Sequence, residues 1–161
     1  MPRLQAYAIA SILGKIIFWG TLPISKAMFP MSVGEESVKK ENSGVFNNAL
    51  GILIFGIVFV LIIFYFFPEW IVKIFSGKNI SEASSVLFYL GIAFGFISLT
   101  NLILLYKLSI NKVKGYLYLY SFVFVEVLLL SFFSDNLFEF SIAFVTASAA
   151  FLWGAVFLVR D

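Results

Sequence analysis

The chain has 161 residues, of which 61% are hydrophobic and 12% are charged. A water-soluble domain is typically about half apolar and a quarter charged, so this composition excludes an ordinary soluble fold and indicates a protein whose solvent is lipid. The net charge of +2 is small, and the absence of a basic stripe argues against nucleic-acid binding.

Catalytic chemistry has little support in the composition. The chain contains neither cysteine nor histidine, which removes thiol chemistry, the commonest metal ligand and the usual proton shuttle. There is also no glycine-rich phosphate loop. We therefore expect no catalytic residues, no metal and no cofactor, and we do not expect an enzyme.

Five apolar segments are each about long enough to cross a ~30 Å hydrocarbon core at a rise of ~1.5 Å per residue. They are apolar on all sides rather than alternating, which favours helices over barrel strands. The sequence therefore predicts an all-α membrane protein with a single membrane domain, 1–161. Its helices are predicted at about 4–29, 45–67, 85–106, 115–133 and 137–159.

The connections between these segments are short. Residues 31–44 form a charged loop, 107–114 a basic loop and 134–136 an acidic turn. Residues 68–84 are semi-apolar and contain Trp70, a residue type that collects at membrane boundaries. We interpret them as a short interfacial helix followed by a turn at Ser76 and Gly77.

Lysine and arginine counts predict the orientation, because short cytoplasmic loops carry the excess of these residues. One side holds about seven of them and the other about three. The first set is Lys26, Lys39, Lys40, Lys107, Lys112, Lys114 and Arg160, and the second is Arg3, Lys73 and Lys78. This bias places the N-terminus outside and the C-terminus inside.

Glu126 lies inside the fourth predicted span, within the stretch LYSFVFVEVLLLSFF. An unpaired carboxylate at that depth costs on the order of 3 kcal/mol or more. One interpretation is a proton or cation site that couples transport to an ion gradient. The alternative is a structural role, either in a fixed ion pair or as a neutral carboxyl hydrogen-bonded to a neighbouring helix.

Lys15 is the second charged residue inside a span. Measured from the outer face at ~1.5 Å per residue, Lys15 lies about 15 Å deep and Glu126 about 10 Å deep, which would allow the two to pair. As a functional residue, Lys15 would contact an anionic head group such as a pyrophosphate. The alternative is snorkelling of its side chain to the interface.

Several uncharged residues also stand out. Pro23 should kink the first helix, either as a hinge or as a fixed bend, and Pro30 should end it. Asn101, deep in the third predicted span, either hydrogen-bonds a neighbouring helix or lines a substrate path. Two pairs of small residues spaced four apart predict close helix packing. These pairs are Gly91 with Gly95 and Ala143 with Ala147.

The order of these features resembles a known family. The segment AYAIASILGKIIFWGTLPISKAMFPMSV is similar to the eighth membrane helix of polysaccharide flippases, in which YxxAxxLxK leads through a proline to a closing Phe-Pro and Ser, here at 29–32. A charged loop, a long apolar helix and PEWIVKIFSGKNISEASSVLFYLGIAF follow in matching order. Ser76 stands before Gly77, where the family usually has glycine directly after phenylalanine. The basic loop and the last two helices fit as well.

The resemblance is to the C-terminal part of the polysaccharide biosynthesis and oligosaccharide flippase family, in the multidrug, oligosaccharidyl-lipid and polysaccharide exporter superfamily. Full members have about twelve to fourteen helices in two lobes around a central cavity, and this chain corresponds to the last five of a twelve-helix plan. The resemblance implies a multi-pass protein of the cytoplasmic membrane that flips lipid-linked oligosaccharide. It also implies a C-terminal fragment, or one part of a split transporter.

The implied site places Lys15 and Asn101 on the substrate path, Glu126 and Lys15 in coupling or an ion pair, and Pro23 at a hinge. The expected partners are membrane lipid, lipid-linked oligosaccharide, and a missing N-terminal half or further copies of the chain. Two alternatives remain open. One is a partial multidrug-type exporter coupled to a cation, and the other is a membrane subunit that packs against a separately encoded half without transporting.

Overall fold

Six helices make up the part of the chain that the structure describes. This structure is a computed structural model, and it describes residues 2–33, 39–110, 118–133 and 136–157. The helices are α1 (Pro2–Val33), α2 (Lys39–Phe66), α3 (Pro68–Ser76), α4 (Ser81–Ser109), α5 (Tyr118–Phe132) and α6 (Leu137–Phe157). The predicted all-α class is thus confirmed for these residues, which contain no strand.

Four of these helices are long and apolar enough to cross a membrane, as expected of a multi-pass membrane protein. The spans are Gln5–Val33, Gly44–Phe66, Ser81–Ser109 and Leu137–Phe157. The fourth predicted span, 115–133, corresponds to α5, whose apolar part Leu119–Phe132 is shorter. Residues 115–117 lie outside the described part, so a count of five spans stays a prediction.

Helix α4 is the centre of the bundle. It packs against α1, α2, α3 and α6, whereas α5 packs on α6 at the edge. The buried face of α4 includes Leu87, Leu90 and Phe94. A methyl group at Gly91 would lie 2.9 Å from Leu61 Cδ2, and one at Gly95 would lie 3.0 Å from Ile57 Cγ2, so the predicted close packing at these glycines is confirmed against α2.

Helix α1 is longer than predicted, because it continues through both prolines to Val33. The prediction that Pro30 ends the helix is therefore wrong. A proline removes the donor to the carbonyl four residues earlier, yet the helix continues, and two hydroxyl groups of this stretch donate to other carbonyl oxygens. Thr21 Oγ1 donates to Ile17 O at 2.9 Å and Ser32 Oγ donates to Met28 O at 2.9 Å.

Helix α2 also starts earlier than predicted, at Lys39, so much of the supposed loop 31–44 is helical and only 34–38 lie outside the described residues. The third and fifth predicted helices are found at Ser81–Ser109 and Leu137–Phe157. Most of the basic residues that set the predicted orientation, and most of the turn 134–136, fall outside the described side chains. The orientation therefore stays a prediction.

The short helix predicted between the second and third spans is present as α3. It begins with Pro68, a favoured first residue because its missing N–H would be unpaired there anyway. It ends at Gly77, whose φ of +68° is left-handed. The Gly77 N–H donates to Lys73 O at 2.9 Å, which places the end of the helix where the sequence predicted a turn.

Candidate functional site

Helix α1 has one buried face and one uncovered face. The buried residues recur every three or four positions and face α4, while a second stripe at the same spacing is exposed and meets no other helix of the described bundle. The buried stripe is Ala6, Ala10, Leu13 and Ile17, and the exposed stripe is Ile12, Lys15, Ile16, Trp19 and Gly20.

The exposed stripe forms an open groove of about 440 Å³, which we call the Lys15 groove. Its lining residues are Ile12, Lys15, Ile16, Trp19 and Gly20. Lys15 supplies the only charge in this lining, and its ammonium group has no hydrogen bond or ion pair with the described part of the chain. The groove is therefore an apolar surface that carries one unneutralised cation.

A second groove, between α2 and α4, has a different chemistry. It has a volume of about 300 Å³ and contains no charged group. Its lining is Val58, Leu61, Ile62, Tyr65, Phe66, Phe88 and Ile92. Lipid chains can occupy such a surface without any polar penalty, which sets the Lys15 groove apart.

The depth of Lys15 follows from its neighbour Gly14. A methyl group at Gly14 would lie 2.7 Å from the Phe94 ring and 3.4 Å from the backbone carbon of Leu90. Leu90 is nine residues beyond Ser81, where α4 begins, so Lys15 lies about 15 Å from that end of the span. The span Ser81–Ser109 is about 43 Å long, so about 7 Å of it lies outside a ~30 Å hydrocarbon core at each end. Lys15 is then about 8 Å below the boundary of the core, and snorkelling of its side chain to the interface stays the alternative to a substrate contact.

Glu126 is half-buried on α5, the helix that packs only on α6 among the principal helix contacts. Phe122, one turn earlier, covers Gly154 so closely that a methyl group there would lie 2.7 Å from its ring. Successive helices joined by a short connection run antiparallel, so Glu126 lies near the level of Ala150. One turn to either side of that level, α6 carries the small uncharged residues Ala147 and Gly154.

The structure does not bring Lys15 and Glu126 together. The rings of Phe94 and Phe144 are 5.4 Å apart, which aligns α4 with α6 and puts Lys15 near the level of Phe144. Ala150 is six residues beyond Phe144 on α6, so Glu126, at the level of Ala150, lies about 10 Å further along the bundle than Lys15. Among the described residues, neither charged side chain forms an ion pair. The sequence predicted similar membrane depths for Lys15 and Glu126 because each depth was counted from an assumed helix end. The packing of the helices gives the two residues different positions along the bundle.

Asn101 is half-buried on α4, and its side chain forms no hydrogen bond within the described ranges. By helical spacing it shares a face with Phe94, but it lies about 15 Å further along the bundle than Lys15. One phosphate group cannot contact both residues. Pro23 is exposed, about two turns beyond Lys15 on α1. Its predicted hinge role stays a prediction.

Sequence reasoning missed a polar contact between two helices of the described bundle. Lys107 Nζ donates hydrogen bonds to Ala155 O at 2.7 Å and to Val156 O at 2.8 Å, and so caps the last turn of α6. Sequence reasoning also gave no role to two buried hydroxyls. Ser25 Oγ and Ser148 Oγ are enclosed without a hydrogen-bond partner among the described atoms. Only helix packing, and no local motif, could have shown either feature.

No known protein family, curated protein sequence or solved structure matches this chain. The functional proposal therefore rests on the geometry of α1 and on the family resemblance carried by its sequence.

Proposed function

We propose that this chain is the cation-bearing C-terminal lobe of a flippase that moves lipid-linked oligosaccharide precursors across the cytoplasmic membrane. The single observation that carries the proposal is the placement of Lys15. Lys15 lies about 15 Å from the end of the span, on an exposed face of α1 that no other described helix covers. Its ammonium group has no partner in the described bundle.

The free energy of a buried charge limits what can face this groove. A lysine near the middle of a membrane costs about 3 kcal/mol or more when it faces hydrocarbon. The exposed face of α2, with Phe55, Phe59 and Ile62, meets lipid without such a cost. The Lys15 groove therefore fits a wet cavity or an anionic group better than it fits lipid.

A pyrophosphate-linked lipid suits both parts of the groove. Its phosphate oxygens accept charge-assisted hydrogen bonds from an ammonium group, and its hydrocarbon tail matches Ile12, Ile16 and Trp19. The headgroup would cross the membrane in the wet cavity while the tail stays in lipid. Asn101 lies about 15 Å further along the bundle and is not part of the lining of the Lys15 groove, so its role on the substrate path stays a prediction.

Binding of polyprenyl diphosphate by the purified chain in lipid nanodiscs tests this proposal. We expect the chain to prefer the diphosphate to the corresponding polyprenyl alcohol, and Lys15→Met to weaken diphosphate binding about tenfold or more. The matched control is Lys26→Met, an exposed lysine three turns along the same helix. It should change binding by less than about twofold.

Two results would overturn the proposal. One is equal binding of the diphosphate and the alcohol, and the other is equal diphosphate binding by the original chain and Lys15→Met. Binding of an amphipathic organic cation in place of the diphosphate would favour the multidrug-type alternative.

A further inference from the structure

Helix α3 has three distinct surfaces. Val72 is fully buried and faces the bundle. Phe67, Trp70 and Ile74 recur at helical spacing and are each more than 60% exposed, and we call them the α3 apolar face. Glu69 and Lys73, one turn apart, are exposed on another side. One side of this helix is buried in the protein, a second is apolar and a third is charged. Such a helix fits the membrane interface, where protein, lipid and water meet.

The neighbouring elements fix the height of α3 in the bundle. The apolar span of α2 ends at Phe66 and α3 begins at Pro68, while α4 begins at Ser81. The nine residues of α3 span about 14 Å, too short to cross a membrane. The helix therefore lies where the span of α2 leaves the hydrocarbon, at the level of the lipid headgroups.

Within α3, the turn that follows it and the first turn of α4, the charges balance. Glu69 and Lys73 lie on α3, and Lys78 and Glu82 follow in the turn and in the first turn of α4. Two acids thus offset two lysines, which does not favour an anionic lipid surface. A headgroup that carries one charge of each sign matches this arrangement better.

We propose that α3 is a docking surface for a zwitterionic aminophospholipid. The α3 apolar face lies against the acyl chains, the Lys73 ammonium donates to the lipid phosphate, and the Glu69 carboxylate accepts from the primary amine of the ethanolamine headgroup. Residues four apart on a helix are neighbours, about 6 Å between their Cβ atoms, which suits one headgroup bridging both. A choline headgroup has no N–H to donate, and a glycerol headgroup has no cation.

Quenching of Trp70 fluorescence by brominated lipids measures this contact in the full chain. The chain would be placed in phosphatidylcholine vesicles with a fixed minority of one brominated lipid, either phosphatidylethanolamine, phosphatidylcholine or phosphatidylglycerol. The chain has three tryptophans, so the contribution of Trp70 is the difference between the original chain and Trp70→Phe. We expect the ethanolamine lipid to quench Trp70 about twofold to fivefold more effectively than either other lipid.

Two substitutions assign the preference to its residues. Glu69→Gln should make the ethanolamine and choline lipids equivalent, while the matched control Glu82→Gln should leave the preference unchanged. No quenching by any brominated lipid would overturn the proposal and point to a protein on this face. Equal quenching by all three lipids, or strongest quenching by the glycerol lipid, would overturn the assigned headgroup chemistry.

Discussion

The Lys107 ammonium group of α4 donates a hydrogen bond to the backbone oxygen of Ala155 in α6, at 2.7 Å. A second bond to Val156 O, at 2.8 Å, satisfies another carbonyl of the same last turn. The last carbonyls of a helix have no partner within the helix and carry partial negative charge. One lysine therefore joins two spans that lie far apart in sequence.

Replacing Lys107 should destabilise the pairing of α4 with α6. Lys107→Met keeps the aliphatic bulk but removes both donors, and we expect a loss of about 1–2 kcal/mol in the free energy of unfolding. Lys107→Arg, which keeps donors and charge, should lose less. Reversible unfolding in mixed micelles measures both variants, and equal stability of Lys107→Met and the original chain would contradict the capping role.

Gly91 should tolerate a side chain poorly, because Leu61 Cδ2, Phe64 Cδ2 and Ile17 Cδ1 lie within 3.4 Å of where its Cβ would be. We expect Gly91→Leu to lower the free energy of unfolding by about 1–3 kcal/mol. Gly56→Leu is the matched control, since a Cβ there would have nothing within 4 Å. Similar losses in the two variants would show that α2 and α4 are not packed closely at Gly91.

Lys15 and Glu126 should behave as independent residues. Their levels in the bundle differ by about 10 Å, so a double-mutant cycle of Lys15→Met and Glu126→Gln should give a coupling free energy within about 0.5 kcal/mol of zero. The charge-swapped variant, Lys15→Glu with Glu126→Lys, should be no more stable than the two single changes predict. Rescue by the swap would show that the two residues pair.

Composition and apolar segment length were enough to predict the helical class and the approximate positions of the four helices that are long enough to cross a membrane. The position of α3 could be predicted from local residue types, because Pro68 begins the helix and Gly77 ends it. The end of α1 was missed because proline was expected to stop the helix, whereas α1 continues through Pro30 to Val33. A proline removes one hydrogen bond and can bend a helix without ending it.

The candidate site was predicted in part. The sequence singled out Lys15 because a charge inside an apolar run is costly wherever it packs. It could not give the levels of Glu126 and Asn101, which depend on how α4, α5 and α6 align. The sequence placed Lys107 in a basic loop, because its hydrogen-bond acceptors lie on a helix almost fifty residues later and no local motif points to them.

The central claim is that the Lys15 groove faces water or an anionic group rather than lipid. Because the chain contains no cysteine, a single Lys15→Cys variant in membranes can be tested with a water-soluble, membrane-impermeant thiol reagent. Ile62→Cys is the matched control, because Ile62 is 50% exposed on α2 and lies at the level of Gly91, as Lys15 does. We predict that position 15 is labelled and position 62 is not. Equal resistance of the two positions to the reagent would contradict the claim.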